Sequence, residues 1–527
     1  MEKNLLVLAA NYQKERNWNK AIECFDQYIK ENKNSSADTV YASYARSLRI
    51  VGKTALAKEM LAEGKKRHPQ SERLLLEFHN LYDFLGEWES AKNVAESLIK
   101  MNPDKADYHL RLGRTHSFQS NHKKAKKAYR TALEYKHGLS FKALTEKIQQ
   151  GFAKNPDEVS SKYVFIDGKN NFGALIHQVG DKKLFTKISN HANKNSGASR
   201  EESFYKDLCT AFPQLKNLVP KFVDSQMIDK VSYLTIEMIG SVPLASHHIK
   251  KVIEVSRQIS TVSYGKLADL ISIPDYVFQF RKGRAISVIH FFTHIHEETI
   301  NKKMFEALRL IMKQHRYPKT VIQLIGRLET AIMDDHLYSF IKPEEHYSLL
   351  HGDFAFQNLL IRKENETPCV IDWTTYTIGP HFMDLARYFT SLLLPYSEVK
   401  RLYLEADQAG KKLSPIEHIF FLYALIVFYF QKLGRKGIET ELSDFILPAL
   451  EDLEVLVMKF KLSVEGDQLT VEMKEKELKI RQMEQEISVL EDERKHLHQR
   501  LQDTLNSKSW KMTAPLRLFT ERKKAKE

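Results

Sequence analysis

Three oxygen-bearing side chains in this sequence are spaced so that one short loop and one hairpin can bring them together. Residues 351–358 read His-Gly-Asp-Phe-Ala-Phe-Gln-Asn, and residues 370–373 read Val-Ile-Asp-Trp. Phosphoryl transfer from ATP needs few parts. A carboxylate orients or deprotonates the acceptor hydroxyl, oxygen ligands hold Mg²⁺ against the β- and γ-phosphates, and a cation fixes the α- and β-phosphates. Asp353 suits the first task. It precedes Asn358 within one short loop, so the chain can turn and aim both side chains into one site. Asn358 offers a neutral carbonyl oxygen to Mg²⁺. Asp372 ends the second strand of a hairpin that Asn358 begins, with the polar, proline-ended turn 363–368 between them. The hairpin returns Asp372 beside Asn358, where its carboxylate can complete the Mg²⁺ site.

A His-x-Asp triplet alone is common, but the longer ordered run is not. It resembles the aminoglycoside phosphotransferase and choline kinase family, whose pattern is His-x-Asp-x-x-x-x-Asn, a hairpin, Ile-Asp-Trp/Phe, Gly-Asp/Pro and Asp-Leu-Ala. Here His351, Asp353, Asn358, Ile371-Asp372-Trp373, Gly379-Pro380 and Asp384-Leu385-Ala386 fill those places in order. The resemblance implies a protein-kinase-like fold that uses ATP and Mg²⁺. It implies Asp353 as catalytic base, Asn358 and Asp372 as metal ligands, and His351 and Asp384 as structural residues, with Asp384 bracing the catalytic loop.

In that frame the preceding sequence supplies the nucleotide grip. Lys187, in Leu184-Phe185-Thr186-Lys187-Ile188, ends a candidate strand and is the expected α/β-phosphate lysine, although Lys182 and Lys183 lie close by. Its ion-pair partner belongs on the next helix. Glu201 fits the family's Glu-x-x-Phe-Tyr, and Glu202 is the close alternative. Leu234 to Ile239 resembles the strand leading to the hinge, where backbone groups of Glu237, Met238 and Ile239 would bind adenine. The phosphate-covering turn falls at 167–173. It has two glycines and departs from a full glycine-rich signature. His290, His294 and His296 lie near one another, but no second cluster supports a metal site, and a solvated or core helix is the better reading.

Four segments carry these parts. Residues 1–150 read as paired helices repeating near 34 residues. Ala21, Ala57, Ala91 and Ala125 mark the second helix of each pair, the last three at a spacing of 34. Phe25, Leu61, Ala95 and Tyr129 follow on the same face, and Tyr28, Gly64, Leu98 and Ala132 follow again. Gly52 and Gly86 precede their markers in the turns, and Pro69 and Pro103 follow where a helix must stop. This resembles the tetratricopeptide repeat, in which each pair stacks on the next to bury its open face. Residues 160–460 read as one mixed domain, strand-rich at first and mainly helical beyond about 245. Residues 466–505 carry heptads, with Met473, Ile480, Ile487, Arg494 and Leu501 on one seam position and Leu469, Lys476, Met483, Leu490 and Leu497 on the other. Residues 506–527 form a basic tail. Its Ser507-Lys508-Ser509-Trp510-Lys511-Met512-Thr513-Ala514-Pro515-Leu516-Arg517 is similar to a tail on bacterial enzymes of cell-surface polysaccharide assembly, especially glycosyltransferases. Trp510, Met512, Leu516 and Phe519 among basic residues suit an anionic lipid surface.

The fold class expected is therefore multidomain: an all-α helical-repeat solenoid, an α+β bilobal protein-kinase-like domain, then a long coiled-coil helix. The 527 residues carry a net charge of +13, which suits a phosphorylated substrate, an anionic membrane or nucleic acid. No nucleic-acid motif is present, so no nucleic-acid partner is expected. Cys24, Cys209 and Cys369 are far apart, which argues against a zinc site or a disulfide framework. The short apolar run at Leu5 to Ala10 lacks a cleavage signature, and Ile419 to Phe430 is too short to span a bilayer. The expectation is a cytoplasmic kinase, at the inner face of the membrane where the tail makes contact. It would phosphorylate a hydroxyl of a sugar, glycan or related small molecule, bind protein partners through its repeats and form homo-oligomers through its coil. The alternative is a scaffold whose kinase-like domain is structural or only binds nucleotide.

Overall fold

A computed structural model describes residues 2–15, 17–32, 36–153, 155, 158–166, 171–190, 196–268, 270–271, 288–404, 413–433, 442–465 and 468–506. The turn residues 167–170 and the tail 507–527 lie outside the described residues, as does the side chain of His290. The chain divides into two compact units, residues 1–314 with 338–394, and residues 315–337 with 395–527.

The first unit begins with nine helices: α1 (Glu2–Lys14), α2 (Trp18–Glu31), α3 (Asp38–Ile50), α4 (Thr54–Arg67), α5 (Glu72–Leu85), α6 (Trp88–Met101), α7 (Ala106–Phe118), α8 (His122–His137) and α9 (Phe141–Gln149). The four marker alanines lie on α2, α4, α6 and α8, and all are fully buried. Their small size lets the paired helices close up. Gly64 shows how tight this is, because a Cβ there would lie 2.8 Å from Cβ of Tyr41 on α3. Gly52 and Gly86 both take left-handed backbone in the turns between helices of a pair, with φ +84° and +74°, a conformation that costs glycine little. The N-terminal region is thus a helical repeat array.

A five-stranded antiparallel sheet follows: β1 (Val159–Val164), β2 (Asn171–Val179), β3 (Lys182–Asn190), β4 (Phe222–Ile228) and β5 (Val231–Glu237), in the order β1-β2-β3-β5-β4. A short helix, α10 (Gly197–Ser203), lies between β3 and β4. Strand alternation gives the sheet two chemically distinct faces. Ala174, Lys187 and Leu234 are register partners and share one face. Leu175, Thr186 and Thr235 are register partners on the other.

That second face is not left to solvent. Tyr163, Leu175, Ile188 and Tyr233 join Tyr129, Leu133, Phe141, Leu144 and Ile148 of α8 and α9 in one buried cluster. Polar groups continue the contact. Gln149 Nε2 donates to Val159 O at 3.0 Å and to Ser161 Oγ at 2.7 Å. Ser161 Oγ meets His177 Nδ1 at 2.5 Å, His177 Nε2 meets Thr186 Oγ1 at 2.9 Å, and Thr186 meets Thr235 at 2.8 Å. Burial pushes the His177 imidazole down to about 4, so it bridges as a neutral ring. The last repeat helices and the sheet therefore share a core, and compactness does not divide the chain near residue 150.

The rest of the unit frames the hairpin. The helix α11 (Ile249–Ser260) packs against β7 (Tyr347–Leu350), and β7 pairs antiparallel with β10 (Thr377–Pro380). The strands β8 (Leu359–Arg362) and β9 (Pro368–Val370) form the expected hairpin, and β6 (Ser241–Val242) adds to β8. The helix Met383–Leu392 completes the unit.

The second unit contains the helices Lys319–Met333, Pro415–Leu433, Leu447–Glu465 and Gln468–Asn506. Residues 419–430 are buried on every side, as expected of an interior helix. No described helix is long and apolar enough to cross a membrane. In the helix Gln468–Asn506, Leu478 is buried, whereas Ile480, Met483, Ile487, Leu490, Leu497 and Leu501 are each half or more exposed. The side chains of Leu469, Met473 and Lys476 lie outside the described set.

Candidate active site

The loop 351–358 leaves β7 and must reverse sharply before β8. Gly352 makes that reversal with φ +79°, and a Cβ there would lie 2.2 Å from Thr375 O, so no other residue fits without moving the backbone. His351 is fully buried beneath the loop. Its Nε2 is 2.9 Å from Ile371 O, and its Nδ1 accepts from Asp353 N–H at 3.3 Å. This fixes the proton on Nε2. Burial also holds its pKa below the ordinary histidine value, against the pull of nearby carboxylates. Asp384 is buried at the start of the helix Met383–Leu392 and accepts from His351 N–H at 2.7 Å and Gly352 N–H at 3.0 Å. Its environment pushes the carboxyl up to about 7, chiefly through burial, which those two donors only partly offset. His351 and Asp384 thus contact backbone and lie under the loop, as structural groups would.

Asp353 is on the open side of the loop, with its side chain 43% exposed. Asn358 Nδ2 donates to Asp353 O at 2.9 Å and approaches Asp353 Oδ2 at 3.4 Å. With its amide nitrogen spent on the loop, Asn358 keeps Oδ1 as a free-standing acceptor type suited to a hard cation. Ile371 N–H donates to Asn358 O at 2.9 Å, which closes the hairpin and brings Asp372 next in line. Asp372 has left-handed backbone, φ +62°, an uncommon conformation for a non-glycine residue. This turns its carboxylate out of strand alternation.

Asp372 Oδ1 accepts from Lys187 Nζ at 2.6 Å, and Glu201 Oε2 accepts from the same ammonium at 2.8 Å. Among the candidates, the structure brings Lys187, Glu201 and Asp372 together. Lys182 and Lys183 lie at the exposed start of β3, and Glu202 bonds Lys206 and Ser225. Burial opposes charge on Lys187, but Glu201 and Asp372 outweigh it and hold the ammonium above its ordinary pKa. One cation serves two carboxylates unequally. Burial leaves the fully enclosed Glu201 raised, whereas the partly open Asp372 is lowered by Lys187 despite its own burial.

Helix α10 is fastened to the segment after Asp372. Arg200 Nη2 donates to Tyr376 O, and its guanidinium lies 4.5 Å from the Tyr376 ring centroid. Phe204 stacks on Trp373 with centroids 3.8 Å apart. These contacts hold Glu201 toward Lys187. At the end of β5, Glu237 N–H donates to Lys221 O and Met238 N–H to Lys183 O. Two of the three backbone donors expected at this hinge are therefore engaged within the protein.

Sequence reasoning missed Arg387. Its Nε and Nη2 donate to Asp353 Oδ1 at 3.1 and 3.0 Å. The available signal was position, since Arg387 follows Asp384 by three residues on a helix and so shares its face.

Two histidine groups have protein partners among the described residues. His294 pairs with Glu297 at 2.7 Å, and His296 Nδ1 meets Tyr347 OH at 2.7 Å. His247, His248 and Glu366 come within ligand distance of one another. However, His248 Nδ1 accepts from Ala245 N–H, so in the neutral ring Nε2 carries the proton and cannot ligate. Lys251 also lies 3.7 Å from the Glu366 carboxylate. The Glu366 carboxylate thus has a cation, Lys251, beside it.

Comparison with known proteins places these residues in a wider context. Residues 253–410 match the model of the phosphotransferase enzyme family, and residues 4–35 match a tetratricopeptide repeat model. No curated protein matches the chain. Similar solved structures include spectinomycin phosphotransferase APH(9)-Ia with ADP and spectinomycin. It is 15% identical, over 59% of this chain and 93% of that one, with a TM-score of 0.36. A thermostable mutant of aminoglycoside phosphotransferase APH(4)-Ia with ADP and hygromycin B is 14% identical, over 60% and 97%, with a TM-score of 0.34. MamA protein is 17% identical, over 28% and 79%, with a TM-score of 0.24. The segment that holds Asp353, Asn358, Asp372, Asp384 and Arg387 is thus similar to phosphotransferase enzymes, and the chain's N-terminus to tetratricopeptide repeats.

Proposed function

We propose that this protein is an ATP-dependent phosphotransferase that phosphorylates an alcohol group of a sugar, glycan or related small molecule in cell-surface polysaccharide assembly. One observation carries the phosphotransferase reading: Lys187, Glu201 and Asp372 form one bonded cluster, with Asp353 and Asn358 joined on the adjoining loop. The glycan context rests on the tail sequence 507–517. In the reaction the acceptor oxygen attacks the γ-phosphorus, and the bond from that phosphorus to the β–γ bridging oxygen breaks. The bond's electrons leave with ADP, and the acceptor's proton passes to the Asp353 carboxylate. Lys187 releases Asp372 and binds the α- and β-phosphates, with Glu201 holding it in place. Asn358 and Asp372 fit Mg²⁺ as oxygen donors, and the ion when bound neutralises charge developing on the β- and γ-phosphates. The test is a screen of hydroxyl acceptors, envelope glycan intermediates included, for phosphate transferred from ATP. Failure of every acceptor, with or without Mg²⁺·ATP stabilisation, would leave the scaffold reading, which the repeat array and the heptads of 466–505 favour.

Asp372→Asn removes a negative charge from the metal site. The expected result is Mg²⁺·ATP affinity reduced roughly 10-fold or more, since even outer partners of a metal typically contribute 10–100-fold. ATP binding without Mg²⁺ should change little. Unchanged Mg²⁺·ATP affinity by calorimetry would remove Asp372 from the ligand set.

The same reading assigns the exposed seam Ile480, Met483, Ile487, Leu490, Leu497 and Leu501 to a second copy of the chain. An apolar stripe of this length at heptad spacing is stabilised by pairing, which removes apolar area from water at roughly 25 cal/mol per Å². Leu490→Glu with Leu497→Glu should convert a dimer to a monomer in sedimentation. A wild-type chain that is monomeric at micromolar concentration would overturn the assignment. The repeat array is assigned to protein partners, and the basic tail to contact with the inner face of the cytoplasmic membrane. Partner capture by the full chain with and without its first helix pairs, and vesicle flotation with and without residues 507–527, test the two.

A further inference from the structure

The catalytic loop carries no cation of its own. Residues 351–358 contain neither Lys nor Arg, yet the carboxylate expected to face the acceptor is not bare. A single face of the helix Met383–Leu392 reaches the loop three times. Asp384 accepts from the backbone of His351 and Gly352. Arg387 donates twice to Asp353 Oδ1. Ser391 Oγ accepts from Phe356 N–H at 2.9 Å. Positions 384, 387 and 391 follow helical spacing, so one rigid element sets the loop's start, its acidic side chain and its end. Asp384 and Ser391 are buried and accept from backbone N–H groups of the loop, whereas Arg387 is partly open and bonds the Asp353 carboxylate.

The two oxygens of Asp353 are held differently. Oδ1 receives two N–H groups from one guanidinium, at 3.1 and 3.0 Å. Oδ2 has the 3.4 Å approach of Asn358 Nδ2, which is at the limit of a hydrogen bond. A guanidinium that grips one oxygen through two charge-assisted donors fixes the position of that oxygen and leaves the other free of the clamp. We propose that Arg387 is a positioning residue for Asp353: it immobilises Oδ1 so that Oδ2 is the oxygen presented to the acceptor hydroxyl. The proposal rests on the reading of Asp353 as the base. Small misplacement of a reacting group costs up to roughly 10²-fold in rate, and that is the effect expected when the clamp is removed.

The test has an activity arm and an activity-free arm. The first uses Mg²⁺·ATP with water as acceptor and reads phosphate release from the full chain. Arg387→Ala should lower kcat by roughly 10–10²-fold with KM for ATP within about twofold of wild type. Arg387→Lys, which keeps the charge but cannot supply two coplanar donors, should recover only part of the loss. Added guanidinium ion should restore rate to Arg387→Ala and not to Asp353→Ala. Combined with Asp353→Ala, loss of Arg387 should lower the rate no further. The second arm reads carbodiimide labelling of the Asp353 carboxylate by peptide mass spectrometry. Labelling should be several-fold faster in Arg387→Ala and Arg387→Gln than in wild type. Equal labelling in all three would overturn the clamp, and this arm holds even where hydrolysis is too slow to measure. Full activity of Arg387→Ala beside an inactive Asp353→Ala would also overturn it, as would a further loss of rate in the double variant. Full activity of Asp353→Ala would instead reject the base assignment beneath it.

Discussion

Replacing Asp353 with alanine is expected to abolish transfer to the true acceptor while leaving Mg²⁺·ATP binding largely intact. Asp353 makes no contact with Lys187 or Glu201. Its side chain bonds Arg387 and approaches Asn358, whereas the Lys187 ammonium is held by Glu201 and Asp372. Loss of a general base typically costs ~10²–10⁴ in rate, so kcat should fall by that range, with KM for ATP nearly constant. The substitution should also leave the fold alone. The side chain is 43% exposed, and the loop is braced independently by Asp384 on two backbone N–H groups. Unfolding temperature and the shift produced by Mg²⁺·ATP should therefore match wild type. Two outcomes would reject the assignment: full activity with the true acceptor, or loss of Mg²⁺·ATP stabilisation equal to that of Asp372→Asn. In the second case Asp353 would belong to the metal site instead.

Deleting residues 1–150 is expected to do more damage than removal of a separate module would. The sheet carries Tyr163, Leu175, Ile188 and Tyr233 into a core whose other half is α8 and α9. Without those helices the face is bare, and burying each such side chain is worth about 1.5–3 kcal/mol, against a typical net stability of 5–15 kcal/mol. Polar groups would be stranded too, since Ser161 and Val159 O lose Gln149. Ile188 adjoins Lys187 in β3, so loosening this face should reach the nucleotide grip. The expected result is an aggregating or poorly folded product that does not bind Mg²⁺·ATP. Phe141→Ala in the full chain should reproduce part of the effect and destabilise by about 3–5 kcal/mol. By contrast, removing the first pairs alone should spare the site, because α8 and α9 remain on the sheet. Calorimetric unfolding and Mg²⁺·ATP titration of all three proteins decide the matter. A soluble, cooperatively folding 151–527 fragment with full-chain affinity would show that the sheet lobe needs no partner on that face.

Much of this protein was determined by relations short enough to read along the chain. The repeat shows as a small residue at each marker place, with a turn glycine and a proline stop in the middle two units, and Ala21, Ala57, Ala91 and Ala125 are all fully buried. The loop from His351 to Asn358 and the hairpin to Asp372 are likewise local, because a few backbone bonds such as Ile371 N–H to Asn358 O join them. Covalent spacing limits where such residues can go. Tertiary structure decided what spacing leaves open. Lys187 meets Asp372 across 185 residues, and Arg200 meets Tyr376 O across 176; no periodicity links such pairs. The choice of Glu201 over Glu202 turned on which side of α10 faced the sheet. The grip of Arg387 on Asp353 required the helix Met383–Leu392 to lie along the loop. Strand alternation gives the sheet two faces but does not say what covers the second one. The covering by α8 and α9 came from apolar surfaces on both that neither could bury alone. Local backbone geometry thus wrote the parts of the site into the sequence, and long-range burial of apolar surface chose their partners.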